Sequence, residues 1–354
     1  MADIGRRKVF TKSIKESIIN LIYINSREGF ILACDMLPEL AVHDHFTTET
    51  ELLKITEILE KKERTLSFEV FPPKTYDKFD TVRDATEAVA ALKPDYMSVT
   101  FGAGGSGARY TLPIAANIEQ KFGVPVIHHL TCVGSTTENI DEKLMFMRMV
   151  GVCNVLALRG DIPEGDDPSS WAFRHADSLC AYIKSRGDFC VGGACYPEKH
   201  PDAPTIDEDI ANLKKKVDAG CDFLTTQLFL DNAVFYRFVE KVRAAGIGIP
   251  VTAGIMPITS VKQFDRIAVL SGSKIPEKLL SIAARYSDDP EGMRAAGIGF
   301  AIEQIAGLYA SGVKNIHLYT MNSAAVAREI VAAFPGVLGG GTDSRFLAKT
   351  FEYP

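Results

Sequence analysis

From about Leu66 onward the chain alternates short apolar runs with longer amphipathic segments. The runs LSFEVF (66–71), DYMSVTF (95–101), PVIHHLTC (125–132), NVLALRG (154–160), CVGGACY (190–196), FLTTQLF (223–229), VTAGIM (251–256) and NIHLYTM (315–321) read as strands. Between them, helical periodicity runs over about 78–92, 111–122, 137–149, 172–186, 206–219, 231–245 and 259–271, with further helix between 276 and 311 and a last one at 323–334. Strands apolar on both faces, each followed by a helix, predict a parallel sheet covered by helices. Eight is the count that closes such a sheet, so the expected fold class is α/β, a (β/α)8 TIM barrel. An open doubly wound sheet is the runner-up. Ahead of the barrel, Thr48 and Glu51 have capping-box spacing, and Leu52, Ile55, Ile58 and Leu59 form a stripe. That pattern predicts an extra N-terminal helix running to about Lys62. Residues 1–46 have only patchy periodicity and read as an extension of unassigned role, with 47–354 as one barrel domain.

In a barrel of this kind the active site lies at the C-terminal ends of the strands. The polar residues gather there. The first run carries Glu69, the second ends at Thr100, and the third at His129 and Thr131. Arg159, Gly160 and Asp161 close the fourth, and Tyr196 and Glu198 follow the fifth. Thr225, Thr226 and Gln227 interrupt the sixth, while Tyr319 and Asn322 end the eighth. Each has a structural alternative. Glu69 could belong to a buried ion pair, and Arg159 could pair with Asp161 across the turn. His128 and His129, adjacent in a strand, point to opposite faces, so at most one reaches the site.

Composition narrows the chemistry. A formal net charge of −6, with no long basic run, argues against nucleic-acid binding. The seven cysteines are scattered with no C-x-x-C pair, which favours buried reduced thiols and a cytoplasmic setting. The histidines lack zinc-ligand spacing, so no metal is expected, and no G-x-S-x-G elbow is present. No apolar run approaches the ~20 residues that span a bilayer, and no signal peptide is expected because Lys12, Lys15 and Glu16 interrupt the N-terminal segment.

Gly102, Gly104 and Gly107 match the spacing G-x-G-x-x-G of a dinucleotide-binding turn. The context does not fit: the next helical pattern opens only around Thr111–Pro113, and the following strand ends without a carboxylate to hold a ribose. The match to the fingerprint is therefore set aside.

Eight ordered motifs carry a family resemblance: SFEVFPPK (67–74), DYMSVTFGAGGS (95–106), HLTC (129–132), LALRGD (156–161), CYPEKHPDA (195–203), KKKVDAG (214–220), TQLFLD (226–231) and HLYTMN (317–322). Through them the chain resembles methylenetetrahydrofolate reductase, in the short bacterial form without a regulatory domain. The resemblance implies FAD as cofactor and NADH or NADPH as co-substrate. It implies reduction of 5,10-methylenetetrahydrofolate to 5-methyltetrahydrofolate by a ping-pong scheme, upstream of methionine. By the same resemblance Thr100, His129, Arg159, Gly160, Asp161, His175, Ala176, Ala194, Tyr196, His200, Asp209, Asn212, Lys215 and Lys216 match cofactor positions. Glu69 matches the general acid, Asp161 the aspartate facing flavin and folate, and Gln227 and Gln263 folate positions. Two positions depart from the family pattern: His175 stands where Tyr is common, and Ser323 where Arg is common, at a substrate position. Apolar neighbours of Glu69 lead to the expectation of a raised carboxyl pKa. The implied partners are small molecules on a homo-oligomer. Rival readings are a folate-dependent methyl transferase on the same barrel and a non-catalytic accessory subunit.

Overall fold

The computed structural model describes residues 53–337 apart from 102–107, 265–266 and 268–273. The proposed N-terminal extension and the glycines at 102, 104 and 107 lie outside the described residues. Eight parallel strands, β1 (Thr65–Val70), β2 (Met97–Val99), β3 (Val126–Thr131), β4 (Asn154–Leu158), β5 (Cys190–Cys195), β6 (Phe223–Thr226), β7 (Val251–Ile255) and β8 (Asn315–Tyr319), pair in sequence order. The barrel closes between β8 and β1, with Glu69 opposite both Tyr319 and Ser98. The (β/α)8 expectation therefore holds, and the open sheet does not.

Helices follow the strands in the predicted order: α2 (Phe79–Ala90), α3 (Ala108–Phe122), α4 (Thr137–Val150), α5 (Ala176–Ser185), α6 (Ile206–Asp218), α7 (Asn232–Ala244), α8 (Glu277–Arg285), α9 (Pro290–Ala310) and α10 (Ala324–Ala333). The start of α3 differs: it opens at Ala108, directly after Gly107 and not around Thr111–Pro113, so only the missing carboxylate after β3 still speaks against a dinucleotide-binding turn. Polar caps set several starts: Thr136, Thr205, Asp231 and Asp289 each accept a backbone N–H of the first turn. The expected further helix between 276 and 311 is two helices, since Asp289 caps the second and Pro290 takes its first position, where the missing N–H costs no hydrogen bond. Of the 259–271 segment, 261–264 are helical, and most of the remainder lies outside the described residues.

Thr48, Glu51 and Leu52, the predicted start of the first helix, lie outside the described residues. α1 spans Ile55–Lys61, and Leu53 and Lys54 before it are not helical. The reason is Asn154 of β4. Its side-chain oxygen accepts from Ile55 N (3.0 Å) and its amide donates to Leu53 O (3.2 Å), so the barrel floor fixes where the helix begins. Ile55, Ile58 and Leu59 pack on inward-facing Tyr96, Ile127, Leu156, Cys190 and Phe223, so α1 plugs the bottom of the barrel.

The strands are not apolar on both faces. Leu66, Phe68 and Val70 of β1 and Ile316 and Leu318 of β8 pack outward into the helix layer. By the period of two, Thr65, Ser67, Glu69, Asn315, His317 and Tyr319 point inward. The interior is thus divided: an apolar floor under β3–β6, and a polar column rising along β1, β2 and β8 to the mouth.

Candidate active site

Glu69 stands at the top of that column, its side chain about one-fifth exposed. Ser98 Oγ donates to its Oε2 (3.2 Å), and His129 Nε2 and His317 Nε2 each lie 3.5 Å from the same oxygen. Burial raises this carboxyl, but His317, His129 and the Ser98 hydrogen bond together outweigh it and hold the group below its usual value. This corrects the expectation of a raised pKa. Phe68 and Val70, taken as its desolvating neighbours, face away on the other side of the strand. His129 is the inward member of its pair. Burial pushes its imidazole down to about 4, and its Nε2 makes no hydrogen bond. His128 faces the helix layer, and burial pushes it down to about 3.

From Glu69 a cavity of about 900 Å³ runs across the mouth to α6. Thr100, His129, Arg159, Gly160 and Asp161 line it from β2, β3 and β4, with His175 and Ala176 from the start of α5. Ala194, Tyr196 and His200 line it from β5 and its loop, and Asp209, Asn212, Lys215 and Lys216 from α6. The structure thus gathers every cofactor position that the sequence analysis named, together with Glu69, around one space. On α6 the buried residues Ile210 and Leu213 anchor the helix to the barrel, leaving the polar stripe to line the cavity.

Backbone and side-chain details shape this space. Gly160 has φ +85°, and a Cβ there would lie 2.6 Å from Val133 Cγ2, so the turn after β4 requires glycine. A Cβ on Gly193 would lie 2.6 Å from Lys216 Cδ. Its absence lets the lysine stem cross β5 and donate from Nζ to Ala194 O (2.7 Å). Arg159 does not pair with Asp161. Its guanidinium donates to Asp202 (2.7 Å), 43 residues along the chain, and the Asp202 carboxyl is held low by that contact. Among the described residues no hydrogen bond or ion pair engages the exposed Asp161 carboxylate.

Three expected substrate positions do not line the cavity. Gln227 Oε1 accepts from Leu228 N (2.8 Å) at the end of β6. Gln263 Oε1 accepts from Thr259 N (2.7 Å) and Ser260 N (3.0 Å), the reciprocal half of a capping box. Ser323 caps α10, its hydroxyl accepting from Val326 N (3.3 Å). Ser323→Ala is therefore expected to lower stability by about 1 kcal/mol, read as a lower urea midpoint with an unchanged slope. The residues that sequence reasoning missed include Asp202, Phe71 and Met321 in the cavity, and Ser67, Ser98 and His317 beneath Glu69. The alternation T-L-S-F-E-V in β1 was the available signal for Ser67; nothing local marks Asp202 as the partner of Arg159.

Together these features define a parallel (β/α)8 barrel whose mouth joins a buried carboxylate to a lysine-bearing helix across one elongated cavity. Comparison with known proteins gives the family. The profile of the family described as Methylenetetrahydrofolate reductase matches residues 54–335, and the chain belongs to that family. It is 40% identical over 283 residues to Methylenetetrahydrofolate reductase (NADH) 1 of Arabidopsis thaliana, covering 76% of this chain and 48% of the relative. It is 40% identical over 276 residues to Methylenetetrahydrofolate reductase 1 of Schizosaccharomyces pombe, covering 77% and 46%. The chain thus spans about half the length of these relatives. With 5,10-methylenetetrahydrofolate reductase of Escherichia coli it shares 32% identity over 265 residues, 75% of this chain and 88% of the relative. A solved structure described as an uncharacterized protein from Clostridium thermocellum that binds two copies of 5-methyl-5,6,7,8-tetrahydrofolic acid has the same fold. Its TM-score is 0.56 at 15% identity, covering 78% of this chain and 99% of the other.

Proposed function

We propose that the protein reduces 5,10-methylenetetrahydrofolate to 5-methyltetrahydrofolate with NADH, through FAD held in the barrel mouth. The observation that carries this reading is the single cavity linking Glu69 to the polar stripe of α6. The cavity suits an elongated, anionic, ring-bearing cofactor. Among the described residues Thr131 Oγ1 and His129 Nε2 are buried beside it without hydrogen-bond partners, polar groups that a ligand in the cavity could engage. Gly160 brings backbone close to the cavity, and Lys215, Lys216 and Arg159 supply positive charge for a diphosphate.

Bound FAD would accept a hydride from NADH and pass it to the folate in alternation. The chain's own residues supply the rest. The methylene carbon of the substrate becomes a good hydride acceptor only when its five-membered ring opens to an iminium cation. Opening requires a proton on the departing nitrogen, and Glu69 is placed to deliver it. Asp161, exposed at the cavity rim and without an ion-pair partner among the described residues, since Arg159 turns to Asp202, supplies negative charge beside that cation. Gln227 keeps its amide NH2 for a folate acceptor, since only its oxygen is engaged by Leu228 among the described residues. Among the described residues Gln263 and Ser323 engage only their side-chain oxygens as caps, so the Gln263 amide NH2 and the Ser323 hydroxyl hydrogen remain for a folate acceptor. The NADH preference is drawn from the name of the plant relative.

The test is cofactor uptake. The protein mixed with FAD and desalted is expected to stay yellow, release FAD on denaturation, and lose its visible flavin band on adding NADH without oxygen. A colourless protein after the same treatment overturns the reading and leaves a flavin-free methyl transferase as its replacement.

A further inference from the structure

The carboxyl of Glu69 lies below its usual value in the open barrel, yet the reading above asks it to deliver a proton. The polar column beneath it resolves this. Ser67 Oγ lies 3.1 Å from Ile316 O and 2.7 Å from His317 Nδ1; the carbonyl can only accept, and with the serine hydrogen committed to it the Nδ1 contact is satisfied by Nδ1–H donating to Oγ. That places a proton on Nδ1 and leaves Nε2 as the exchanging nitrogen. Nε2 faces Ser98 Oγ (3.2 Å) and Glu69 Oε2 (3.5 Å), and Ser98 Oγ is 3.2 Å from the same Glu69 oxygen. His317 is buried, stacked on Tyr96 with ring centroids 6.3 Å apart and met edge-on by Tyr319 at 5.4 Å, so the imidazole has one fixed orientation.

We propose that His317 is the proton store of the folate half-reaction, holding one proton in common with Glu69 through the Ser98 hydroxyl. While the mouth is open the proton is held between His317 Nε2, Ser98 Oγ and Glu69 Oε2. When ligands cover Glu69 and exclude water, His317 Nε2 gives its proton to Ser98 Oγ, and Ser98 gives its own to Glu69 Oε2. Imidazolium and carboxylate become imidazole and carboxylic acid, and no net charge moves into the covered site. Glu69 then protonates the folate nitrogen, and the pair regains one proton from solvent after product leaves. The inference rests on Glu69 as the acid. The titratable groups facing the pair are His129 on β3, kept neutral by burial, Tyr96 ahead of β2, and Tyr319 on β8, whose hydroxyl donates to Thr226 O (2.6 Å).

Two measurements test it. Nitrogen NMR of histidine-labelled protein, without flavin or folate, is expected to show neutral His317 as the Nδ1–H tautomer, with that preference lost in Ser67→Ala. In stopped flow, His317→Asn is expected to slow folate-driven reoxidation about 10- to 100-fold more than it slows reduction by NADH. The folate rate of the variant should climb as pH falls, because Glu69 must then be loaded directly from solvent. Ser98→Ala, which leaves the histidine in place, should show the same imbalance and covers the case that His317→Asn does not fold. An Nε2–H tautomer in the wild type, or variants that slow both half-reactions equally or neither, overturns the proposal. If Glu69→Gln also spares the folate step, the assignment of the acid has failed instead.

Discussion

Glu69→Gln is expected to separate the two half-reactions. Reduction of the cofactor by NADH opens no ring and needs no proton from this side chain, whereas reduction of the folate needs one. Glutamine preserves size and can still accept from Ser98, which now donates to the carboxylate at 3.2 Å. It removes the transferable proton and leaves no buried carboxylate unpaired. Losing a positioned general acid typically costs ~10²–10⁴ in rate, or roughly 3–5 kcal/mol of barrier. The variant should bind FAD and be bleached by NADH within about tenfold of the wild-type rate, while reoxidation by folate slows at least about a hundredfold. Stopped-flow absorbance reads both steps on one sample. Equal losses in both would make Glu69 a structural residue. The loss of neither would move the acid elsewhere.

Acid lability is the second large effect. Burial holds His128 at about 3 and His129 at about 4, against 6.5 for an ordinary histidine. Both folded-state values lie below the unfolded one, so the unfolded chain takes up these protons first as pH falls. Stability is therefore fully present above pH 6.5 and is lost progressively toward pH 4 and below, by about 1.4 kcal/mol per pH unit for each histidine. Glu69, also depressed, adds a loss in the same direction at lower pH. Urea midpoints should fall steeply between about pH 7 and about pH 5, and His128→Asn should flatten the slope by about half. A midpoint independent of pH across that window would mean that neither histidine is buried as described.

The barrel was legible because each strand presents an apolar face to the helix layer in a short run, followed by a helix with a clear stripe. The cavity was legible for the same reason: the resemblance supplied the residues, and strand order placed them at one end. What could not be read is how the polar groups divide their partners. Arg159 and Asp161 are near neighbours in sequence, and pairing across the turn was the structural alternative to a role in the site. The fold instead brings Asp202 to the guanidinium, a contact set by the loop between β5 and α6. Gln263 and Ser323 were read through the family pattern alone. Their immediate surroundings also fit caps, with Ser260 three residues before Gln263 and Ser323 at the start of an apolar helix, and in the structure they serve as caps. Glu69 was judged by its sequence neighbours, although strand alternation turns those neighbours away and puts Ser98, His129 and His317 beside it.

The central claim is that one cavity serves both NADH oxidation and folate reduction, with FAD between them. The measurement that tests it most directly is anaerobic and needs only the wild-type protein. FAD-loaded enzyme is bleached with one equivalent of NADH, the NAD⁺ is removed, and 5,10-methylenetetrahydrofolate is added. The account predicts that the flavin colour returns in step with formation of 5-methyltetrahydrofolate, one molecule per flavin. A flavin that stays bleached in the presence of the folate, or recolours without forming the methyl product, would contradict it.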